Sequence, residues 1–396
     1  MCPLRADSPM PRRIGRDWLA CIRRDASNRV RGSMTSTPVA WPIAWHDAHL
    51  GPQGFYRTNT PARHFATEAQ DGSLVEALAI VIEQVAGRLP VASPIDIVDI
   101  GAGSGELLTS LLAALGGKSR FHFTAIDVRP RPIGLPDRID WVVGVAPDIL
   151  ERIRPEGITG IILAHEWLDD LPVDVVARDE DGRIRQVLVD PSTGAESMGD
   201  AVLPDSAAQR WLDQWWGPVL DRAEIGWHRD AAWRAVCASL RTGLALAIDY
   251  GHTRGERDRF ATGSIIGYRG GATHWPIPDG SMNLTAHVTW ESLVAATDPP
   301  GVVRSQAEVL AELIPPVAPP DGALAESDPR LFADQLQRYS QRARLLDRSA
   351  GVSWLRVEVS PPRSRGRNDH GTGESSRRMR RVTGVSPEDG LSAADL

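Results

Sequence analysis

The chain has one lysine, Lys118, among its 44 Lys and Arg residues, so almost all of its positive charge is arginine. We read that bias as the coding habit of a GC-rich genome rather than as guanidinium chemistry. Cysteine is scarce as well. Cys2, Cys21 and Cys237 are too few and too scattered for a disulfide framework or a cysteine zinc site, so no metal is expected and a reducing, cytoplasmic setting is. Long apolar runs are missing: the best, Leu74 to Ala86, is interrupted by Glu76, Glu83 and Gln84, well short of the roughly 18 residues of a membrane span. The first 33 residues lack the apolar core of a secretory signal, and their arginines alternate with Asp7, Asp17 and Asp25 in a way that speaks against an organellar leader. Orderly sequence begins near Met34, where we expect translation to start.

What is present reads as globular. Apolar residues at 42% and charged residues at 24% exclude wholesale disorder, and 396 residues are room for one large core with additions. Charge is distributed unevenly. Residues 1–33 carry +5 and residues 361–396 carry +2, which leaves −14 for the middle of a chain whose total is −7. A middle that acidic repels phosphate backbones and argues against nucleic acid as a partner. Both arginine-bearing ends lack apolar periodicity, so we expect residues 1–40 and 361–396 to be disordered extensions around a body at 41–360.

Along that body, Leu74, Val75, Leu78, Ile82, Val85 and Leu89 recur at helical spacing, and Pro90 and Pro94 punctuate the end. The β-branched run Ile95 to Ile100 then reads as a buried parallel strand. Further strands are expected at Phe121–Ile126, Trp141–Val143, Ile161–Ala164 and Leu244–Ile248, with helices at Glu106–Leu115 and Asp230–Leu240 between them. Alternation of this kind predicts a doubly wound, mostly parallel α/β sheet. The interval 174–229 reads as an inserted satellite region, containing a hairpin that turns at Asp181-Gly182 and a tryptophan-rich stretch. Trp41–Gln70 reads as an irregular lead-in and Gly263–Gly280 as a loop. Helices at Val303–Leu313 and Leu331–Leu346 and a last strand at Val352–Val359 complete the body.

The sharpest local signal is Asp99-Ile100-Gly101-Ala102-Gly103-Ser104-Gly105-Glu106, placed between a strand and a helix. Glycines there admit a ligand close to the backbone, beside the unpaired N–H groups of a helix start. A nicotinamide loop spaces its glycines G-x-G-x-x-G and sets a pyrophosphate on the helix end. Here the spacing is G-x-G-x-G, and Glu106 stands where the last glycine would fall. A carboxylate beside a pyrophosphate is unfavourable, whereas beside the cationic sulfonium and amino-acid part of S-adenosylmethionine it is not. Asp127, 24 residues after Gly103 and closing the second strand, is placed to accept both hydroxyls of a ribose. Asp99, Gly101, Gly103, Gly105, Glu106 and Asp127 are therefore the candidate binding residues for S-adenosylmethionine.

Several segments together are similar to the MidA family of S-adenosylmethionine-dependent methyltransferases, whose mitochondrial members assist assembly of respiratory complex I. They are Gly54-Phe55-Tyr56, His64-Phe65-Ala66-Thr67, the glycine loop, His165-Glu166-Trp167-Leu168-Asp169-Asp170-Leu171-Pro172-Val173, Asp249-Tyr250-Gly251-His252 and Asn283-Leu284-Thr285-Ala286-His287-Val288. The likeness spans about residues 41 to 358. It implies a class I methyltransferase-like Rossmann fold and, by analogy with the mitochondrial members, methylation of a protein arginine. His165, Arg63-His64 and Asn283 depart from the family pattern (Asn, Gly-Asp and Asp respectively). These departures gather at the expected substrate mouth and leave the cofactor loop intact.

Methyl transfer is an in-line displacement, so the enzyme must align a nucleophile and keep its lone pair available. Carboxylates grip a guanidinium and can take its proton. Glu166, Asp169 and His165 at the end of the fourth strand are the catalytic candidates, and His64, Thr67 and His287 the substrate-binding ones. Three functions stay open: a methyltransferase for a protein side chain, a small-molecule O- or N-methyltransferase, and a cofactor-binding assembly factor that transfers nothing.

Overall fold

The computed structural model describes residues 37–59, 71–90, 93–116, 118–218, 221–347 and 351–360. In chain order the strands are β1 (Val39–Ala40), β2 (Ile95–Ile100), β3 (Phe121–Asp127), β4 (Ile139–Val143), β5 (Ile158–His165), β6 (Asp174–Arg178), β7 (Ile184–Val189) and β8 (Glu196–Ala201). They continue with β9 (Arg222–Ile225), β10 (Leu240–His252), β11 (Ile266–Arg269), β12 (Ala272–His274), β13 (Asn283–Thr285), β14 (Val288–Thr289), β15 (Val302–Ser305) and β16 (Val352–Val359).

An eight-stranded sheet of order β15-β16-β10-β5-β2-β3-β4, with β14 beside β10, forms the centre. From β10 to β4 all neighbours are parallel, and β16 joins antiparallel to β10 and β15. Both faces are covered, as a parallel sheet requires. Along β2 the side chains alternate between the two layers: Ile95 and Ile97 pack under the helices Gly72–Arg88 and Glu106–Ala114, while Val98 and Ile100 pack with Trp233, Trp290 and Leu293 on the other side. The helix Gly72–Arg88 starts where the Asp71 side chain accepts from Ser73 N at 2.9 Å, and it buries the apolar face that the periodicity marked.

Chain direction reverses at the middle of the sheet. The strands after β2 run outward to β3 and β4, and then β5 returns to the opposite side of β2. Such a switch point leaves a crevice beyond the carboxyl ends of the strands, where ligands of open α/β sheets bind.

Two smaller sheets lie outside the central one among the described residues. β1, β7, β6 and β9, with β8, make one, and β12-β11-β13 the other. Trp41, Trp45, Val175, Val187, Val189, Met282 and Leu284 share a core between elements of both.

Four expectations need correction. Trp41–Gln70 is not irregular where described: Trp41–Leu50 and Phe55–Thr58 are helices, the first burying Trp41 and Trp45. Gly263–Gly280 holds the hairpin β11–β12, whose two-residue turn Gly270-Gly271 has positive φ at both positions, 59° and 79°, the signature of a tight hairpin. Glycine richness there specified a turn. Val303–Leu313 begins as β15 and becomes helical only at Gln306, after Ser305 caps it. Of the expected extensions 1–40 and 361–396, residues 1–36 and 361–396 lie outside the described residues, while Val39–Ala40 is corrected to a strand, β1, paired antiparallel with β7. No helix among the described residues is long and apolar enough to cross a membrane.

Candidate functional site

At the switch point a cavity of about 310 Å³ opens beyond β2, β3, β5 and β10. Of the expected cofactor residues, Asp99, Gly101, Gly103, Glu106 and Asp127 line it. Gly105 does not. It caps the following helix with φ 81°, and a Cβ there would meet Leu135 Cδ1 at 2.5 Å. Gly101 and Gly103 also have positive φ, 70° and 61°. At Gly101 a Cβ would collide with Trp167 Cδ1 at 2.7 Å, whereas at Gly103 it would enter open space with its nearest neighbour, Glu106 Oε2, 3.6 Å away. Gly103 thus leaves room for a ligand, and Gly101 leaves room for an indole.

The loop is braced by acidic side chains. Gly103 N donates to Asp127 Oδ2 at 3.0 Å, and Ser104 N donates to Glu106 Oε2 at 2.9 Å. Asp127 is also gripped by Arg129, through the backbone N–H and Nε to Oδ1 (both 3.0 Å) and Nη2 to Oδ2 (3.3 Å). Asp99 is buried, and that burial, with Asp127 and Glu106 nearby, pushes its carboxyl up to about 8. The carboxyls of Asp99, Glu106 and Asp127 around one glycine turn suit a cationic ligand, which would offset the repulsion that keeps Asp99 protonated.

The expected catalytic residues face the same cavity. His165 ends β5, and Glu166 turns out of the sheet with φ 49°, the one positive φ among non-glycine residues described. Residues held in that region cost about 1–3 kcal/mol and persist where the surroundings enforce them. Two buried groups do so here. Asp249, at the end of β10, accepts from Leu168 N (2.8 Å) and Asp169 N (3.2 Å). Arg229 spends its whole guanidinium on main-chain carbonyls: Asp169 (2.7 Å), Leu171 (2.9 and 2.7 Å), Ala286 (2.9 Å) and His287 (2.9 Å). One side chain therefore ties the turn after β5 to the segment between β13 and β14.

Within that wall the two aspartates differ. Asp170 is committed: Tyr56 Oη donates to it, and Asn283 Nδ2 donates to its Oδ1 at 3.0 Å. Asp169 Oδ1 is buried with no hydrogen-bond partner among the described residues, and burial, opposed by Arg229, raises its carboxyl to about 6. His165 also has an unpartnered Nε2, 3.9 Å from Glu166 Oε1. Burial lowers its pKa to about 4. His287 lines the cavity beside Phe260 (4.5 Å between ring centroids), and burial lowers its pKa too. His64 and Thr67 lie outside the described residues.

Sequence reasoning passed over several participants. Arg129 and Tyr268 line the cavity, while Arg229 and Asp249 hold its wall. Arg129 carried a usable signal, standing two residues beyond the ribose candidate. Arg229 carried none, since nothing in the sequence relates it to residues 57 positions downstream.

Comparison with known proteins agrees with this geometry. Residues 77–304, more than half of the chain, match the model of a family described as "putative S-adenosyl-L-methionine-dependent methyltransferase", and the chain belongs to that family. The fold is similar to that of a COG1565 superfamily member from Burkholderia thailandensis with bound S-adenosyl-homocysteine, at 20% identity and TM-score 0.65, covering 90% of this chain and 95% of that one. A native structure of a COG1565 superfamily protein from the same organism is 19% identical with TM-score 0.60, again covering 90% and 95%. No curated protein matches. The chain is an S-adenosylmethionine-dependent methyltransferase with a mixed α/β, mostly parallel central sheet.

Proposed function

We propose that the enzyme methylates a cationic side chain of a protein, arginine foremost, and that within its family it stands with the MidA proteins and their mitochondrial relatives. The observation that carries this reading is the charge of the cavity. Among the described residues its lining contains six carboxyl side chains (Asp99, Glu106, Asp127, Glu166, Asp169, Asp170) and a single guanidinium, that of Arg129. The cofactor accounts for the first three: Gly101 and Gly103 take its backbone-facing edge, Asp127 its ribose hydroxyls, and Asp99 and Glu106 its amino-acid end. Bound there, S-adenosylmethionine supplies a methyl group on a positively charged sulfur. The acidic turn after β5 then remains for the acceptor.

In this assignment Glu166, held out of the sheet by its positive φ, grips the incoming guanidinium. Asp169 takes the proton that the acceptor nitrogen must shed, since its raised pKa brings it into the range of a useful base near neutral pH. Asp249 and Arg229 keep both residues in place, and Tyr250 and Tyr268 furnish flat walls along which a planar cation can lie.

The test uses the purified enzyme, methyl-labelled donor and a lysate depleted of the enzyme. A labelled protein band supports the reading, a labelled small molecule redirects it to metabolite methylation, and no label points to a binding role. Glu166→Gln keeps shape and removes charge, so transfer should fall about 100-fold while cofactor affinity holds, in the range that general acid–base groups contribute. Full activity in that variant would make the acidic turn structural.

A further inference from the structure

We infer that Arg129 is a clasp on the cofactor site that the ribose must displace. The inference rests on the reading of Asp127 as the ribose acceptor. A carboxylate has about four acceptor positions. In Asp127 all four are in use: Oδ1 receives the backbone N–H and Nε of Arg129, both at 3.0 Å, and Oδ2 receives Gly103 N at 3.0 Å and Arg129 Nη2 at 3.3 Å. The two backbone donors belong to the loops that shape the site and stay as the ligand enters. The two guanidinium donors belong to a flexible side chain, and they hold the positions that a pair of vicinal hydroxyls would take.

The pair is sheltered, with the Arg129 side chain 16% and the Asp127 side chain 7% exposed, so solvent competes for it only weakly. Among the described residues Arg129 has no second hold in the cavity: all the side-chain hydrogen bonds it makes go to Asp127. Its main chain is fixed separately, by Trp141 Nε1 donating to the Arg129 carbonyl at 2.9 Å. The side chain is therefore free to leave without disturbing β3 or the strand beside it. A site whose competent form is only partly populated binds with an affinity lowered by that fraction. Arg129 thus sets the apparent affinity for any adenosine-bearing ligand, in the direction opposite to that of an ordinary binding residue.

The test measures 5′-methylthioadenosine, which carries the ribose without charge, by calorimetry against the wild type, Arg129→Met, Arg129→Lys and Asp127→Asn. Arg129→Met should bind about 3- to 10-fold more tightly, the reciprocal of the open fraction in a clasped site. Asp127→Asn should bind at least about tenfold more weakly, as expected for loss of charge-assisted hydrogen bonds. Arg129→Lys, which keeps the charge but loses the fork that reaches both carboxylate oxygens, should bind more tightly than the wild type and less tightly than Arg129→Met. Equal or weaker binding by Arg129→Met, with Asp127→Asn weakened, overturns the clasp and leaves the ribose site standing. Unchanged binding by Asp127→Asn removes the ribose reading and the clasp with it. If Arg129→Met fails to fold, Arg129→Lys decides: binding equal to or weaker than that of the wild type overturns the clasp.

Discussion

If Asp99 holds the amino-acid end of the cofactor, as proposed, its carboxyl ties cofactor affinity to pH. It titrates at about 8 because burial, Asp127 and Glu106 all oppose its charge, so at pH 7 it is mostly protonated. A cation bound beside it reverses the balance and expels the proton. If the bound form ionises well below pH 6, affinity for S-adenosyl-homocysteine should increase about 20-fold between pH 6.0 and 7.5, nearly one power of ten per pH unit. Both pH values lie below the titration of the ligand's own amine, at about 8. Titrations at pH 7 in buffers of different ionisation enthalpy should show about 0.9 proton released per ligand, the protonated fraction of a group with that pKa. Other groups in the cavity are separable: His165, at about 4, is silent in this window, and Asp169, at about 6, adds a shallow rise at its lower end. Asp99→Asn should remove the steep slope and the proton release together. The same group carries a stability signature of opposite sign. Its folded pKa lies above the ordinary 3.8, so the native state holds a proton that the unfolded chain gives up, and stability falls as pH rises from about 4 to 8. Asp99→Asn should therefore gain more melting temperature over wild type at pH 8 than at pH 4. A flat affinity profile in the wild type, or a slope that survives Asp99→Asn, would refute the assignment.

Two further outcomes are expected. Gly103→Val places a branched Cβ at φ 61° in the open part of the cavity, so S-adenosyl-homocysteine binding should become undetectable by calorimetry; affinity within threefold of wild type would move the site elsewhere. Arg229→Met leaves four carbonyls without their donor, and denaturant unfolding should report a loss of about 3–5 kcal/mol, as for a buried charged group removed from its partners. A loss below about 1 kcal/mol would show that the wall is held by other means.

The glycine turn and the carboxylates around it were legible because their arrangement is local. A strand, a glycine turn and a strand-end carboxylate fall within Asp99 to Asp127, and each announces itself through β-branched runs or glycine spacing. The strands around them lie close to their expected positions, β2 at Ile95–Ile100 and β16 at Val352–Val359 on the same residues. The acceptor half resisted because its logic is tertiary. That Asp170 is spent on Tyr56 and Asn283, while Asp169 keeps a bare oxygen, depends on contacts across more than 110 residues. The basicity of His165 was hidden for the same reason, since burial sets it and not residue type. The hairpin β11–β12 was legible and overlooked, because glycine content was weighed without its spacing.

The Arg229 knot has a consequence for how the enzyme comes into being. The glycine loop and Asp127 are complete once the ribosome has passed β3, and their strands pair with near neighbours. The acceptor wall exists only after residues 283–288 have emerged and their carbonyls have closed on a guanidinium made long before. Until then Arg229 lacks half of its acceptors, and the turn bearing Glu166 is held only by Asp249 and by the carbonyls of Asp169 and Leu171 on the guanidinium. Chains halted before β13 should thus present a formed cofactor loop beside an unformed acceptor wall, and competence for methyl transfer should arrive late in synthesis, in one step.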